Sequence, residues 1–294
     1  MNSPETASFR LHEDPPWFLE AVNATAAATG FAPRLVEKDY FCTVLLRYLA
    51  PVDGALVFKG GTCLAKVHAG FYRLSEDLDF LIPTPTDASR AVRRRQAQKL
   101  KGLLGGLGSR IPGIQLSRAL EGANESAQYT AVLSYRSLFS DTDGSVRFEV
   151  GLREPLLTHA VQGEAKTLLL DPLSGSELVP VLQVPCLSRE EAMAEKLRAA
   201  LCRREAAIRD FYDIDHAVRR LGFRLDDLEF IGLVQQKLTV PGNQPPDVSA
   251  ARLDALRPQV ETELSPVLRA VDFAAFDLER AFATVAGIAA RLSP

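Results

Sequence analysis

The sequence is poor in the residues that build metal clusters and disulfide frameworks. Its 294 residues include only 4 cysteines and 4 histidines. The cysteines are scattered without a CxxC pair, and the histidines have no ligand spacing. We therefore expect buried, reduced thiols and no structural zinc. No apolar run approaches the roughly eighteen residues of a transmembrane helix. Because the polar N-terminus lacks a signal-peptide core, the expected localisation is cytoplasmic, with no membrane partner.

The chain also lacks a strong net charge and a P-loop. Its 34 Lys and Arg against 37 Asp and Glu give a formal net charge of -3. Any nucleic-acid site must therefore be a local basic patch. The GxxxxGK[ST] pattern is absent, which disfavours a P-loop ATPase. With 47% hydrophobic and 24% charged residues, the composition is that of an ordinary globular protein.

The stretch from Leu56 to Ile82 carries the clearest chemical pattern. An apolar strand leads into a glycine turn, a helix follows over Cys63–Phe71, and a second strand ends the stretch. Alternation in that strand puts Asp77 and Asp79 on one face and apolar residues on the other. Neighbouring carboxylates repel each other, and a hard divalent cation such as Mg²⁺ would remove the repulsion. Because a glycine turn at a helix start can bind phosphate, the pattern predicts a nucleotide-plus-metal site.

The rest of the chain divides into a mixed half and a helical half. Helices are predicted from Pro15 to Gly30, over 33–49 and, as a basic helix, over 88–107. Strands are predicted over 128–135, 145–152, 168–171 and 178–184, and helices over 189–204, 208–221, 225–238 and from 248 onward. We expect two domains, 1–185 and 186–294, with a cleft between them.

The order strand, Gly-Gly-Thr, helix, strand, Asp-Leu-Asp resembles the polymerase-β-like nucleotidyltransferase superfamily. The resemblance implies an α+β fold: a mixed sheet flanked by helices, followed by an all-helical C-terminal lobe. It also implies that the turn, Gly60, Gly61 and Thr62, holds the triphosphate, and that Asp77 and Asp79 bind Mg²⁺ or Mn²⁺. Glu149 is the candidate third carboxylate. On pattern alone, a glutamate on the polar face of a strand is more often exposed to solvent.

Five motifs in order resemble the AbiEii-type nucleotidyltransferase toxins, which include the mycobacterial MenT toxins. They are EKDY at 37–40, FKGGT at 58–62, RLSEDLD at 73–79, EKLRA at 195–199 and RDFYDI at 209–214. The resemblance implies a bacterial toxin with a cognate antitoxin, of AbiEi type or similar. It implies transfer of a nucleotide from an NTP, often a pyrimidine, to the 3′ acceptor end of tRNA. That modification would block aminoacylation and translation.

Further site residues follow from matching these motifs. Lys196 should contact the triphosphate, and Asp210 or Asp213 should help form the active site. Alternatively, Lys196 pairs with a glutamate of its own helix, and Asp210 is a helix cap and salt-bridge partner. Ser75, in the third motif, is assigned to nucleotide binding and is also a candidate target of inhibitory phosphorylation. Lys66, which lies outside the five motifs, is assigned to nucleotide binding as well.

Other charged residues have two interpretations each. Lys59 either meets a phosphate or pairs with an acid, and Lys38 and Asp39 either support the nucleotide or fix their helix by an ion pair. Arg93, Arg94, Arg95 and Arg198 either contact RNA or belong to solvated helix faces. The rival functions are nucleotide transfer to a protein, phosphoryl transfer, and a catalytically silent nucleotide-binding regulator. The paired carboxylates argue against the silent regulator, since a pure binding module does not need them.

Overall fold

The computed structural model describes residues 8–49 and 56–292. The described chain forms two compact units. The first runs to Pro155 and resumes over Ala160–Cys186, and the second consists of Leu156–His159 and the residues from Leu187 onward. Residues 156–159 thus belong to the second unit although the chain returns to the first unit after them.

A mixed seven-stranded sheet forms the centre of the first unit. The strands are β1 (Val57–Lys59), β2 (Asp77–Leu81), β3 (Ile114–Ala123), β4 (Gln128–Tyr135), β5 (Gly144–Gly151), β6 (Val161–Ala165) and β7 (Leu182–Cys186). Their order is β3-β4-β5-β2-β1-β7-β6. Strand β2 pairs parallel with β5 and antiparallel with β1. The strand that carries Asp77 and Asp79 is therefore the middle one.

Buried and more exposed side chains alternate along the strands, as predicted. In β5, Val146, Phe148 and Val150 are buried, while Arg147 is exposed and Glu149 is half-buried. The predicted strand over 168–171 is wrong, since this segment contributes only an isolated bridge from Leu170. The strand predicted over 178–184 begins later, at Leu182, after Pro180, which has no N–H for a ladder. Strand β6 was not predicted, because only its Gly163 and Ala165 are buried.

Helices accompany the sheet in the first unit: α1 (Pro15–Thr29), α2 (Pro33–Leu49), α3 (Gly60–Cys63) and α4 (Arg90–Gly105). The helix predicted over Cys63–Phe71 is corrected in two ways. It begins at Gly60, and after Cys63 it widens into a π-helical turn, Leu64–His68. The Ala69 amide donates to the Leu64 carbonyl at 2.8 Å, the i→i+5 bond that defines this turn.

The second unit is helical, as predicted. Its helices are α5 (Arg189–Cys202), α6 (Ile208–Leu221), α7 (Leu228–Leu238), α8 (Ala250–Gln259), α9 (Ala270–Ala274) and α10 (Leu278–Leu292). Ser188 caps α5 by accepting from the Glu191 amide at 3.1 Å. The Glu191 carboxylate is wholly buried and lies 2.8 Å from the equally buried Lys237 ammonium. The Arg252 guanidinium donates to the Ala200 carbonyl, which satisfies an acceptor near the end of α5.

The protein therefore has the α+β architecture expected of it: a mixed sheet with flanking helices and a helical C-terminal region. No helix in the described ranges is long and apolar enough to cross a membrane.

Candidate active site

The acidic residues of β2 and β5 meet on one face of the sheet. Leu78 and Phe80 are buried on the opposite face, as the alternation predicts. In the parallel ladder Asp79 is opposite Glu149, so the two residues occupy adjacent strands about 4.8 Å apart. On the other side of Asp79, the antiparallel ladder places Lys59. The fold thus brings together the three carboxylates of the predicted metal site, with a lysine at their border.

Glu149 is held by a neighbour on its own strand. Its Oε2 lies 2.6 Å from Nη2 of Arg147, whose side chain is 53% exposed. Within the described ranges, Asp77, Asp79 and Glu149 are not a group whose ligand atoms all lie within 4.8 Å of one another. In a site that holds two metal ions about 3.5–4 Å apart, the ligand atoms need not all lie within 4.8 Å of one another. Since an exposed ion pair is worth only about 0–1 kcal/mol, Arg147 holds Glu149 weakly.

The glycine turn packs directly against the carboxylate of Asp79. Gly60 has φ +76°, and a Cβ built there would lie 2.2 Å from Asp79 Oδ2. Only glycine accommodates both the backbone conformation and this approach. The buried Thr62 hydroxyl donates to the backbone carbonyl of Asp77. This bond ties the turn to the start of β2, so the Thr62 hydroxyl positions the turn instead of facing outward to a phosphate.

Arg73 is a functional candidate that the sequence analysis did not single out. Its side chain is buried, and Nη2 would lie 2.5 Å from a Cβ built at Gly61, with Ser75 Oγ at 2.9 Å from the same point. Its Nη1 donates to the Leu74 carbonyl at 3.3 Å. A guanidinium next to a phosphate-type turn suits phosphate recognition. The signal was present in the RLSEDLD motif, as the one cation in an acidic run.

Lys66 does not reach this cluster. Its side chain is fully buried, with Nζ 2.7 Å from Asp39 Oδ1 and 2.8 Å from Thr43 Oγ1. The Asp39 carboxylate also accepts from the Leu168 amide at 3.1 Å. Lys66 is thus engaged in an interior ion pair, and its position does not favour the predicted contact with nucleotide. The structural interpretation of Asp39 fits this geometry.

Lys38 has a similar anchoring role. Its ammonium lies 3.2 Å from Glu76 Oε1, just before the first carboxylate of β2. This contact joins α2 to the segment that leads into the acidic strand.

Lys196, in the second unit, contacts both aspartates assigned with it. Its Nζ lies 2.8 Å from Asp210 Oδ1 and 2.8 Å from Asp213 Oδ2. Asp210 and Asp213 are almost completely buried, so neither is a solvated helix residue. Arg203 adds a further cation 3.2 Å from Asp210 Oδ2. Lys196 is thus paired with acidic residues of α6.

The predicted RNA-binding arginines do not share one environment. Arg94 and Arg95 are exposed on α4, whereas Arg93 is half-buried and donates to the Thr86 carbonyl at 3.2 Å. Arg198 is 7% exposed and lies 3.8 Å from Glu195 Oε1. Arg198 therefore presents little charge to the surface, and of these four arginines only Arg94 and Arg95 are exposed.

The comparisons with known proteins identify the family of the chain. Residues 44–285 match the family described as nucleotidyl transferase AbiEii toxin, type IV toxin–antitoxin system. The chain belongs to this family of nucleotidyltransferase toxins. Family membership implies an antitoxin partner, and the family generally uses an NTP and a divalent metal.

Solved structures support the fold. A candidate nucleotidyltransferase from Helicobacter pylori has a TM-score of 0.53 at 17% identity, covering 89% of this chain and 96% of its own. The H. pylori protein JHP933 also has a TM-score of 0.53 at 17% identity, covering 89% and 93%. No curated protein shows a significant match to the chain.

Proposed function

We propose that the chain is a Mg²⁺-dependent toxin that transfers NMP from an NTP to the 3′ acceptor end of tRNA. The observation that carries the proposal is the pairing of Asp79 with Glu149 on one sheet face, with the glycine turn packed against Asp79. Hard carboxylate oxygens suit Mg²⁺ or Mn²⁺, and a turn at a helix start suits phosphate. Modification of the acceptor end would block aminoacylation and translation.

Each residue of the cluster has a distinct part in this mechanism. Asp77, Asp79 and Glu149 would hold the divalent metal, which when bound would lower the pKa of the attacking hydroxyl and neutralise charge on the leaving group. The backbone of the glycine turn and the Arg73 guanidinium orient the triphosphate. Lys196 remains a predicted triphosphate contact.

The transfer itself is an in-line displacement. The RNA 3′-hydroxyl attacks the α-phosphate, its new O–P bond replaces the bond to the bridging oxygen, and pyrophosphate leaves. A carboxylate of the cluster accepts the hydroxyl proton. There is little covalent chemistry for the protein to perform, so most of the acceleration comes from positioning and from charge neutralisation.

The choice of RNA as acceptor is supported by the family resemblance and by the exposed arginines of α4. A basic helix face can neutralise phosphates without reading sequence. Arg94 and Arg95 are the exposed pair on this face. A pyrimidine NTP is proposed on the family resemblance alone.

One labelling experiment tests the proposal. The protein is incubated with each α-³²P-labelled NTP in turn, Mg²⁺ and total RNA, and the labelled product is identified. We expect label on tRNA, most strongly from CTP or UTP, and none with Asp77→Ala. Asp87→Ala, an exposed aspartate before α4, is the matched control and should retain activity. Label on protein, or no label under any condition, would refute tRNA as the acceptor.

A further inference from the structure

Two cysteines and a histidine converge beside the glycine turn. The Sγ atoms of Cys63 and Cys186 and a ring nitrogen of His68 all lie within 4.8 Å of one another. Both cysteines are completely buried, and His68 is half-buried. In the described part of the chain, no other His, Cys, Asp or Glu group of three or more is this tight. The scattered sequence positions had predicted ordinary buried thiols.

The π-helical turn Leu64–His68 explains how Cys63 meets His68. In an α-helix, residues five apart point about 140° away from each other. The wider turn, closed by the bond from the Ala69 amide to the Leu64 carbonyl, reduces that angle and puts both residues on one side. Such turns frequently occur at functional sites. The local backbone is therefore shaped for a Cys63–His68 pair.

Cys186 reaches the pair through the sheet. It ends β7, where it is opposite Phe58 of β1, two residues before Gly60. Gly163 of β6 leaves room for its sulfur, since a Cβ built there would lie 2.6 Å from Cys186 Sγ. The site is thus formed by three separate segments of the first unit, each with a specific feature that admits the sulfur or the imidazole.

The two sulfur environments in the protein differ sharply. The Cys63 thiol, the His68 ring and the Gly163 amide all lie within hydrogen-bonding reach of the Cys186 sulfur. Cys42 is just as buried, but burial raises the pKa of its thiol to about 12. Metal binding requires the thiolate form of each cysteine ligand and releases the thiol protons.

We propose that Cys63, His68 and Cys186 bind one Zn²⁺ ion. Two thiolates and an imidazole form a borderline-soft donor set that suits Zn²⁺ and is poor for Mg²⁺. Three protein ligands leave a fourth tetrahedral position for water or an external ligand, and the half-buried His68 provides the side from which it enters. This site is separate from the proposed metal site of Asp77, Asp79 and Glu149.

The site would couple zinc to the glycine turn. Cys63 directly follows Thr62, whose hydroxyl holds the turn against β2. A ligand that binds only the folded state stabilises it by mass action. Bound Zn²⁺ therefore raises the melting temperature of the protein and restrains the turn next to Asp79. This inference does not depend on the acceptor of nucleotide transfer.

The test uses the full-length protein, reduced and stripped of metal by a chelator. Zn²⁺ is added and unbound metal is removed by gel filtration. The amount of zinc per chain is then measured by elemental mass spectrometry. Co²⁺ substitution is followed by its sulfur-to-metal charge-transfer absorbance. We expect one equivalent of zinc, a charge-transfer band, and a higher melting temperature with zinc than without.

The variants separate ligation from folding. Cys186→Ser and His68→Gln should each weaken zinc binding at least about tenfold, whereas Cys42→Ser should bind like wild type. His68→Gln tests ligation at a half-buried position that tolerates a polar side chain, so a failure of Cys186→Ser to fold leaves the experiment decisive. Absence of bound zinc in folded wild-type protein, equal binding by His68→Gln, or a Cys63–Cys186 disulfide that forms in the presence of zinc would overturn the proposal.

Discussion

Gly60→Ala is expected to damage the carboxylate cluster far more than it damages the fold. The substitution puts an alanine at φ +76°, which costs roughly 1–2 kcal/mol for an L-residue. Its Cβ would also lie 2.2 Å from Asp79 Oδ2, whereas ordinary contact begins at 3.4 Å. The Asp79 carboxylate must therefore move by about 1 Å, a misplacement that can cost about 100-fold in rate.

Gly70→Ala is the matched control for this change. Gly70 has φ +68°, but nothing lies within 4 Å of a Cβ built there. It therefore carries the backbone strain of Gly60→Ala without the collision. Both variants should lose roughly 1–2 kcal/mol in urea unfolding.

Only Gly60→Ala should lose about 100-fold in the initial rate of nucleotide transfer from an α-³²P-labelled NTP. The rate is measured under conditions in which both variants are folded. If Gly60→Ala keeps the rate of Gly70→Ala, the close packing of the turn on Asp79 has no part in the activity, and the reasoning fails.

Three further predictions concern other charged groups. Lys66→Met should destabilise the protein by about 3–5 kcal/mol in urea unfolding, because it removes the cationic partner of the buried Asp39 carboxylate. Lys38→Met, which breaks the partly exposed ion pair with Glu76, should cost at most about 1 kcal/mol. Glu149→Gln should weaken Mn²⁺ binding at least about tenfold in calorimetry, whereas Arg147→Ala, its ion-pair partner, should not. Burial lowers the pKa of His12. Its contribution to the free energy of unfolding is therefore full above the unfolded-state pKa of about 6.5 and decreases as the pH falls below that value. His12→Gln should reduce this loss of stability at acid pH, and an unchanged pH profile of unfolding would contradict a lowered pKa for His12.

Short-range patterns predicted the faces of the central strands well. Val146, Phe148 and Val150 alternate with Arg147 and Glu149, and the structure buries the first three. A period of two encodes which side a residue faces, because successive side chains in a strand point in opposite directions. The position of Asp77 and Asp79 on one face follows from the same rule.

Register and strand order could not be predicted in this way. The pairing of Asp79 with Glu149 depends on β5 lying parallel beside β2, a choice between distant segments. The meeting of Cys63 with Cys186 depends in addition on a π-helical turn and on β7 lying beside β1. Neither the spacing of the cysteines nor their number indicates such a cluster, since the contact is made only in the folded chain.

Burial of charge was the other source of error. Lys66, which lies close to the glycine turn in sequence, is among the residues predicted to bind nucleotide. The turn of its helix directs it into the interior, where Asp39 compensates its charge at 2.7 Å. The charge of a lysine among apolar neighbours can be compensated either by a bound ligand or by a buried acidic side chain. Only the tertiary structure distinguishes these two arrangements.

The acceptor of the nucleotide is the central claim, and the mass of the tRNA 3′ end tests it most directly. Deacylated tRNA is incubated with the protein, Mg²⁺ and unlabelled CTP or UTP, then cleaved to release its 3′-terminal fragment for mass spectrometry. The proposed function predicts a fragment heavier by one or more nucleotide residues, absent with Asp77→Ala and present with Asp87→Ala. An unchanged 3′ fragment from tRNA treated with active, folded wild-type protein would contradict it.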